Sequence, residues 1–412
     1  MHREPAPVSP AYRKPYLLYK RCDGVPYVVE WMELGIKPSS YISSLCYSVL
    51  RLEPFTGCSF GCTYCYARWY RGAGPPWAKP WLPRVFEKIA RRMQELPRPV
   101  FRLATLSDPL QQRGGAVPGV VKALLRTALR YRVPLVLNTR GDVAGDPEVF
   151  ALLLSLAEHR LVLVQVTLGL PEGPAQLLEP GAPPPSRRLD SIEALARHGV
   201  PVVVRVQPLV PGLEEWHLRA ATEALERGAR GLIAEPLRET QRGLEALYKL
   251  LGAGVPSAGW EGYQLGEEPG REPLLHPGPA WRERMHMALE ALAQRYGAVY
   301  APCKDALLPR LAHWYRPGRS CCLEWLAVEE PVLVRPTLHE YVYWLEQGGD
   351  GSWQGFNGYI CSLPVFEPFC SMLDYYPSPV RKALRAHHRR LQRLVENRSK
   401  LEALLSKTTM WR

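Results

Sequence analysis

The stretch Glu53-Pro54-Phe55-Thr56-Gly57-Cys58-Ser59-Phe60-Gly61-Cys62-Thr63-Tyr64-Cys65-Tyr66-Ala67-Arg68 organises the reading of the whole chain. It places three thiols within eight residues, directly after an apolar run at 45–52 that reads as a strand. A structural zinc normally takes four ligands, most often as two separated pairs. A compact set of three instead suits a [4Fe–4S] cluster that keeps one iron open to an incoming ligand. Gly57 and Gly61 let the backbone pack close to inorganic sulfur and aim N–H groups at it. The competing reading is a zinc or disulfide cluster completed by Cys46 or by a cysteine from the C-terminal part of the chain.

Outward from this loop the chain alternates short β-branched runs with amphipathic stretches. The runs at 45–52, 100–106, 134–139, 161–168, 200–206 and 231–235 read as strands. Helical patterns lie between and after them at 84–95, 118–131, 147–158, 187–198, 215–227 and 239–251. Strands each followed by a helix imply βα units and a parallel sheet, either curled into a partial barrel or doubly wound. Residues 252–279, rich in Gly, Pro and Glu, read as a long loop, and 281–296 as an amphipathic helix. From about Ala301 the βα rhythm is lost, aromatics multiply, and 378–407 reads as one charged helix. The expected divisions are an N-terminal extension (1–43), an α/β partial barrel (44–255), a connection (256–300) and a Cys- and aromatic-rich C-terminal extension (301–412).

The Cys58–Cys62–Cys65 spacing, with Tyr64 before the last cysteine, resembles the radical S-adenosylmethionine (SAM) superfamily. The flanking residues are similar to its spore photoproduct lyase-like branch. Three later segments fit that branch in order: Ser107-Asp108-Pro109-Leu110-Gln111, then Leu178-Glu179-Pro180-Gly181 with Arg187-Arg188-Leu189, then Val204-Arg205-Val206-Gln207-Pro208-Leu209-Val210-Pro211-Gly212. The resemblance spans roughly residues 45 to 240. It implies a parallel partial (β/α)6 barrel with SAM and cluster at the C-terminal mouth. It also implies the chemistry: an electron from a reducing donor cleaves SAM, and the 5′-deoxyadenosyl radical so formed abstracts a substrate hydrogen.

The resemblance assigns Cys58, Cys62 and Cys65 as cluster ligands and sets Tyr64 on the cofactor side. Ser107 and Asp108 would contact the amino group or carboxylate of SAM, or else cap a helix before Pro109. Arg205 is a charge in an otherwise apolar strand, so it is expected to meet an anion such as the SAM carboxylate, or a structural acid such as Glu179 or Glu235. By the same resemblance Glu179 would order the loop after the fourth strand on the cofactor side, or serve structure alone, and Tyr66 would pack against the cluster or relay a hydrogen atom. One position departs from the branch. Where the lyase carries a hydrogen-donor cysteine, this chain has Thr105, and no cysteine occurs between Cys65 and Cys303. Photoproduct repair is therefore not expected unless a late cysteine folds back into the mouth.

The late cysteines Cys303, Cys321, Cys322, Cys361 and Cys370 leave three readings open. They are a second Fe–S or zinc site built from Cys303, Cys321, Cys361 and Cys370, one or two disulfides, or inert buried thiols. The net charge of +12, with 41 Arg against 11 Lys, raises the weight of a polyanionic partner such as nucleic acid. Arg381, Lys382, Arg385, Arg389, Arg390 and Arg393 could follow a phosphate backbone, or simply form a solvated face. Three Asn in 412 residues, beside abundant Arg and Pro, suit a thermophile or a GC-rich genome. No run is long and apolar enough to span a bilayer and no secretion signal is legible, so a cytoplasmic enzyme is expected. Its expected substrate is a nucleic acid or nucleotide. The alternatives are radical modification of a protein, peptide or small molecule, or a non-catalytic iron–sulfur or zinc protein that binds nucleic acid.

Overall fold

The computed structural model describes residues 17–22, 25–30, 45–47, 50–69, 76–112, 116–263, 273–328 and 332–405. Most of the expected extension 1–43 lies outside them. Within it, β1 (Leu17–Cys22) and β2 (Val25–Glu30) pair as an antiparallel hairpin. The body of the molecule is an open sheet of seven strands, all parallel. In spatial order they are β3 (Arg51–Leu52), β4 (Phe101–Leu103), β5 (Leu135–Thr139), β6 (Val162–Thr167), β7 (Val202–Leu209), β8 (Gly231–Pro236) and β11 (Val299–Pro302). β3 and β11 are its two edges.

Helices connect successive strands. The periodicity predicts α1 (Leu82–Arg91), α2 (Gly119–Arg130), α3 (Pro147–Glu158), α5 (Pro185–Arg197) and α6 (Glu214–Glu226); the short α4 (Glu172–Leu178) before α5 lies outside the expected patterns. The start of α3 shows the local logic. Asp146 stands at the N-cap and accepts the Val149 N–H at 3.2 Å, while Pro147 needs no partner for a missing N–H. Both faces of the sheet are covered, which is why the strands read as continuous apolar runs. One face, including Leu135, Leu137, Val162, Val164, Val202 and Val204, packs on these helices. Each such side chain, fully buried, contributes about 1.5–3 kcal/mol.

Two expectations are corrected. The sheet has a seventh strand: α7 (Gln241–Leu250) and α8 (Pro279–Arg295) lead to β11, which pairs in parallel with β8. The expected boundary at 301 therefore falls inside a strand. Four residues ending in Pro302 are too few for the pattern to register, whereas the preceding Gly297, at φ +65°, ends α8 like a normal αβ turn. The stretch 252–279, expected as loop, carries only the two-residue antiparallel pair β9 (Glu261–Gly262) and β10 (Leu275–His276) among its described residues.

Beyond β11 the chain turns back and fills the other face of the sheet. Cys303, Ala306, Trp314, Cys321, Leu323 and Ala327 pack on Val136, Leu163, Val203 and Ile233. The remainder builds its own small core from α9 (Leu338–Glu346), α10 (Trp353–Ser362), the second half of α12 (Ser378–Glu396) and α13 (Arg398–Leu405), while α11 (Glu367–Ser371) and the first half of α12 pack on the main core through Phe369, Val380, Ala383 and Leu384. The single helix expected at 378–407 is thus two. Asn397 separates them, its side-chain oxygen accepting the Lys400 N–H at 3.1 Å. On α12, Val380, Ala383, Leu384, His387, Leu391 and Val395 are buried and Arg385, Arg389 and Arg393 face outward. No helix among the described residues is long and apolar enough to cross a membrane.

Candidate active site

The cysteine loop leaves the C-terminal end of β3 and is held from three sides. Glu53, buried at the strand end, accepts the backbone N–H groups of Thr105 (2.6 Å) and Leu106 (2.7 Å) and the Ser107 hydroxyl (3.1 Å). It thereby ties the loop after β3 to the loop after β4. Gln111 spans the cysteine loop itself, donating to the Gly57 carbonyl at 3.1 Å and accepting the Ser59 N–H at 2.8 Å. From the third side the segment after α4 closes in: the Gly181 N–H donates to the Phe60 carbonyl at 2.9 Å. A Cβ at Gly181 would lie 2.5 Å from the Ser59 carbonyl oxygen, so only glycine permits this approach.

Cys58, Cys62 and Cys65, none in a disulfide, line one open cavity at the C-terminal ends of the strands. Burial pushes the Cys62 thiol up to about 12, against the pull of the Arg140 charge. The cavity wall is built in layers, because alternate residues of every strand face it. The deep layer is the apolar set packed on the returning chain. Around the cavity stand Arg102, Asn138, Arg205, Glu235 and Cys303, with Gln165 bonded to Arg205. Among the described residues, six cations (Arg51, Arg102, Arg140, Arg205, Arg238, Lys304) line the cavity against two carboxylates, Asp108 and Glu235.

Each residue singled out from the sequence has a definite place. The Asp108 carboxylate is buried and accepts from the Thr139 hydroxyl (2.7 Å) and the N–H groups of Leu110 (2.9 Å) and Arg140 (2.6 Å). Burial nevertheless raises its pKa above the ordinary carboxylate range. It caps no helix, since α2 begins only at Gly119; it braces the loops after β4 and β5, while Ser107 serves Glu53. Glu179 receives the Tyr64 phenol and the guanidiniums of Arg188 and Arg140 (3.4 Å). Burial alone would raise its pKa, but those two arginines hold it below the usual value. Tyr64 lies under Arg140, 5.7 Å from guanidinium carbon to ring centre. The Tyr66 phenol donates to the Thr105 carbonyl, and Arg238 stands 5.6 Å over its ring.

Arg205 faces the cavity interior. It donates to Gln207 (2.9 Å) and Gln165 (3.1 Å) and lies 3.6 Å from Glu235. Glu235 also holds Arg238 and Lys304, each at 2.6 Å. Burial opposes its ionisation, yet these three cations keep its pKa at about 2.

The late cysteines divide. Cys361 and Cys370 form a disulfide, so the expected set Cys303, Cys321, Cys361 and Cys370 does not come together as a metal site. Cys303, Cys321 and Cys322 instead fold back onto the cavity, with Cys46 beside them. Arg205 reaches the Cys303 sulfur at 3.8 Å. Among the described residues no three His, Cys, Asp or Glu side chains stand already gathered around a metal position. The donor set still fits an iron–sulfur cluster: three thiols on one short loop face a cavity that no histidine lines among the described residues, and the surrounding cations match thiolate charge. Sequence reasoning missed Glu53 and Gln111 as organisers, and it left the return of a late cysteine to the mouth as an open condition, which the structure meets with Cys303, Cys321 and Cys322.

Residues 52–225 match the family model described as the radical SAM superfamily. No curated protein shows significant sequence similarity to the chain. Among solved structures, a spore photoproduct lyase complexed with dinucleoside spore photoproduct aligns at 16% identity and a TM-score of 0.48, covering 63% of this chain and 78% of that one. Streptococcus suis SuiB bound to S-adenosylmethionine aligns at 12% identity and a TM-score of 0.42, covering 61% of this chain and 49% of that one.

Proposed function

From the premise that residues 52–225 form a radical SAM domain and that the chain is an enzyme, we propose that Cys58, Cys62 and Cys65 hold a [4Fe–4S] cluster and that the substrate is a nucleotide or nucleic acid. The observation that carries the first part is the convergence of these three thiols on one cavity at the C-terminal mouth of the sheet. Bound there, cluster and SAM would supply the 5′-deoxyadenosyl radical that takes a hydrogen atom from the substrate. The chain's own residues position and shield. Glu53 and Gln111 hold the cysteine loop, Ser107 and Asp108 shape the neighbouring wall, and Glu179 with Tyr64 seals the side under Arg140. Arg205 and Tyr66 line the space that the reacting groups would occupy. The substrate class is supported by the excess of cations around the cavity and by the net charge of +12.

Anaerobic reconstitution tests the first part. About four irons per chain and 5′-deoxyadenosine on addition of SAM and dithionite are expected, and both should vanish in the Cys58→Ala/Cys62→Ala/Cys65→Ala variant. Tetrahedral zinc at these thiols would overturn it. The substrate class is tested by nucleic acid copurifying with the protein, with affinity that falls steeply as salt rises. Salt-independent or absent binding of nucleotides and nucleic acid would remove it.

A further inference from the structure

Five αβ turns of the sheet close in the same way. After α2, α3, α5, α6 and α8 the chain passes one residue at positive φ: Arg132 (+54°), Arg160 (+53°), Gly199 (+76°), Gly228 (+92°) and Gly297 (+65°). In every one, that residue's N–H returns to the carbonyl three residues back and the next N–H to the carbonyl five residues back. Arg132 bonds Leu129 at 3.2 Å and Val133 bonds Ala128 at 2.9 Å; Gly199 bonds Ala196 and Val200 bonds Leu195, both at 3.0 Å. Glycine is the ordinary occupant of this left-handed position, because any Cβ crowds the neighbouring carbonyl. Three turns use it. The two that do not are adjacent, at the N-terminal ends of β5 and β6, and both carry arginine.

These two arginines line one cleft of about 470 Å³ together with Arg98 and His159. It lies at the end of the strands opposite the cysteine loop. Glu95 is the sole acid among its described lining residues. The Arg98 guanidinium donates to the Gln94 carbonyl at 2.8 Å, and its buried Nε has no hydrogen-bond partner among the described residues. Burial and the charge of Arg132 together hold Arg98 below its ordinary pKa. Among the described residues Arg132 itself reaches only the His159 ring, at 3.4 Å. Three guanidiniums are thus concentrated without a carboxylate at ion-pair distance among the described residues, two of them at backbone positions that disfavour a side chain.

We propose that this cleft binds a phosphoryl anion of two or more negative charges, free or as part of a nucleotide. Arginine presents paired N–H groups that match phosphoryl oxygens, and three converging guanidiniums suit a multiply charged group. The site is separate from the cavity at the other end of the sheet and needs neither SAM nor iron.

The test is calorimetric titration of the full chain with inorganic pyrophosphate, ADP and adenosine at low salt. Saturable binding of pyrophosphate at one per chain is expected, with none of adenosine. ADP binding more tightly than pyrophosphate would identify a nucleotide as the ligand; equal affinities would identify the phosphoryl group alone. The Arg132→Gly/Arg160→Gly variant should bind pyrophosphate roughly ten-fold or more weakly, given the strength of charged hydrogen bonds. It should also melt no lower than the parent, because glycine suits both turns, so lost binding would not be lost folding. Unchanged binding in that variant would overturn the proposal. So would pyrophosphate binding that appears only in a Glu329→Gln/Glu330→Gln variant, since the chain's own acids, which lie between Val328 and Val332 in sequence, would then be the counter-charge.

Discussion

At the scale of the residue, one charge can be tested without breaking its surroundings. Arg205 shares Glu235 with Arg238 and Lys304, and these two sit 1.0 Å closer to that carboxylate than Arg205 does, at 2.6 Å against 3.6 Å. Removing Arg205 therefore leaves no stranded buried anion, the usual cause of a large stability loss. Arg205→Leu is expected to fold and to keep its iron, while SAM binds more weakly by about 1.5–3 kcal/mol, the range for a charged hydrogen bond. Equilibrium binding of SAM and a thermal melt on the same sample check this. A lowered melting temperature with unchanged SAM affinity would make Arg205 a structural residue. The sequence singled out Arg205 because a cation in VPVVVRV has no neutral explanation. It had no means of singling out Glu53, whose partners lie fifty residues away on another loop.

At the scale of the element, the returning segment after β11 carries a buried acid with a measurable consequence. Glu324 opens the 3₁₀ turn Glu324–Leu326, and one of its carboxylate oxygens has no hydrogen-bond partner among the described residues. Burial, and then the neighbouring Cys322 sulfur, raise its pKa to about 8. The unfolded chain releases this proton near pH 4.3. Between about 4.3 and 8 the folded form thus binds a proton that the unfolded form does not, and stability falls as pH rises through that window. The cost at pH 8 relative to pH 4 is on the order of a few kcal/mol. Denaturant melts across this range should show the decline in the parent and a flatter profile in Glu324→Gln. A parent whose stability does not fall between pH 5 and 8 would contradict it. This turn was invisible in the sequence, since nothing in Cys321-Cys322-Leu323-Glu324 marks a segment that packs inside a sheet.

At the scale of the whole molecule, the sheet and the C-terminal part share a core, because among the described residues the sheet's inner face is covered by residues after β11. A chain ending at Pro302 would expose Val136, Leu163, Val203 and Ile233. It is expected to bind a hydrophobic dye and to melt without cooperativity, which calorimetry and dye fluorescence would show. A soluble, cooperatively folded chain ending there would refute the shared core. Local information settled much of this protein. The cysteine spacing, the six βα units and the places of their main helices were readable because each depends on residues close in sequence, through thiol geometry, hydrophobic period and capping; the short α4 and the break at Asn397 were not. What only the tertiary structure decided depends on contacts between distant residues. Cys303, Cys321 and Cys322 reach the cavity because the deep wall of the sheet is apolar and must be covered. The seventh strand exists because β8 offers an unpaired edge to a four-residue segment too short to announce itself. Arg98, Arg132 and Arg160 become one cleft because parallel strands carry their preceding turns to the same end of the sheet, where charges some thirty residues apart in sequence meet.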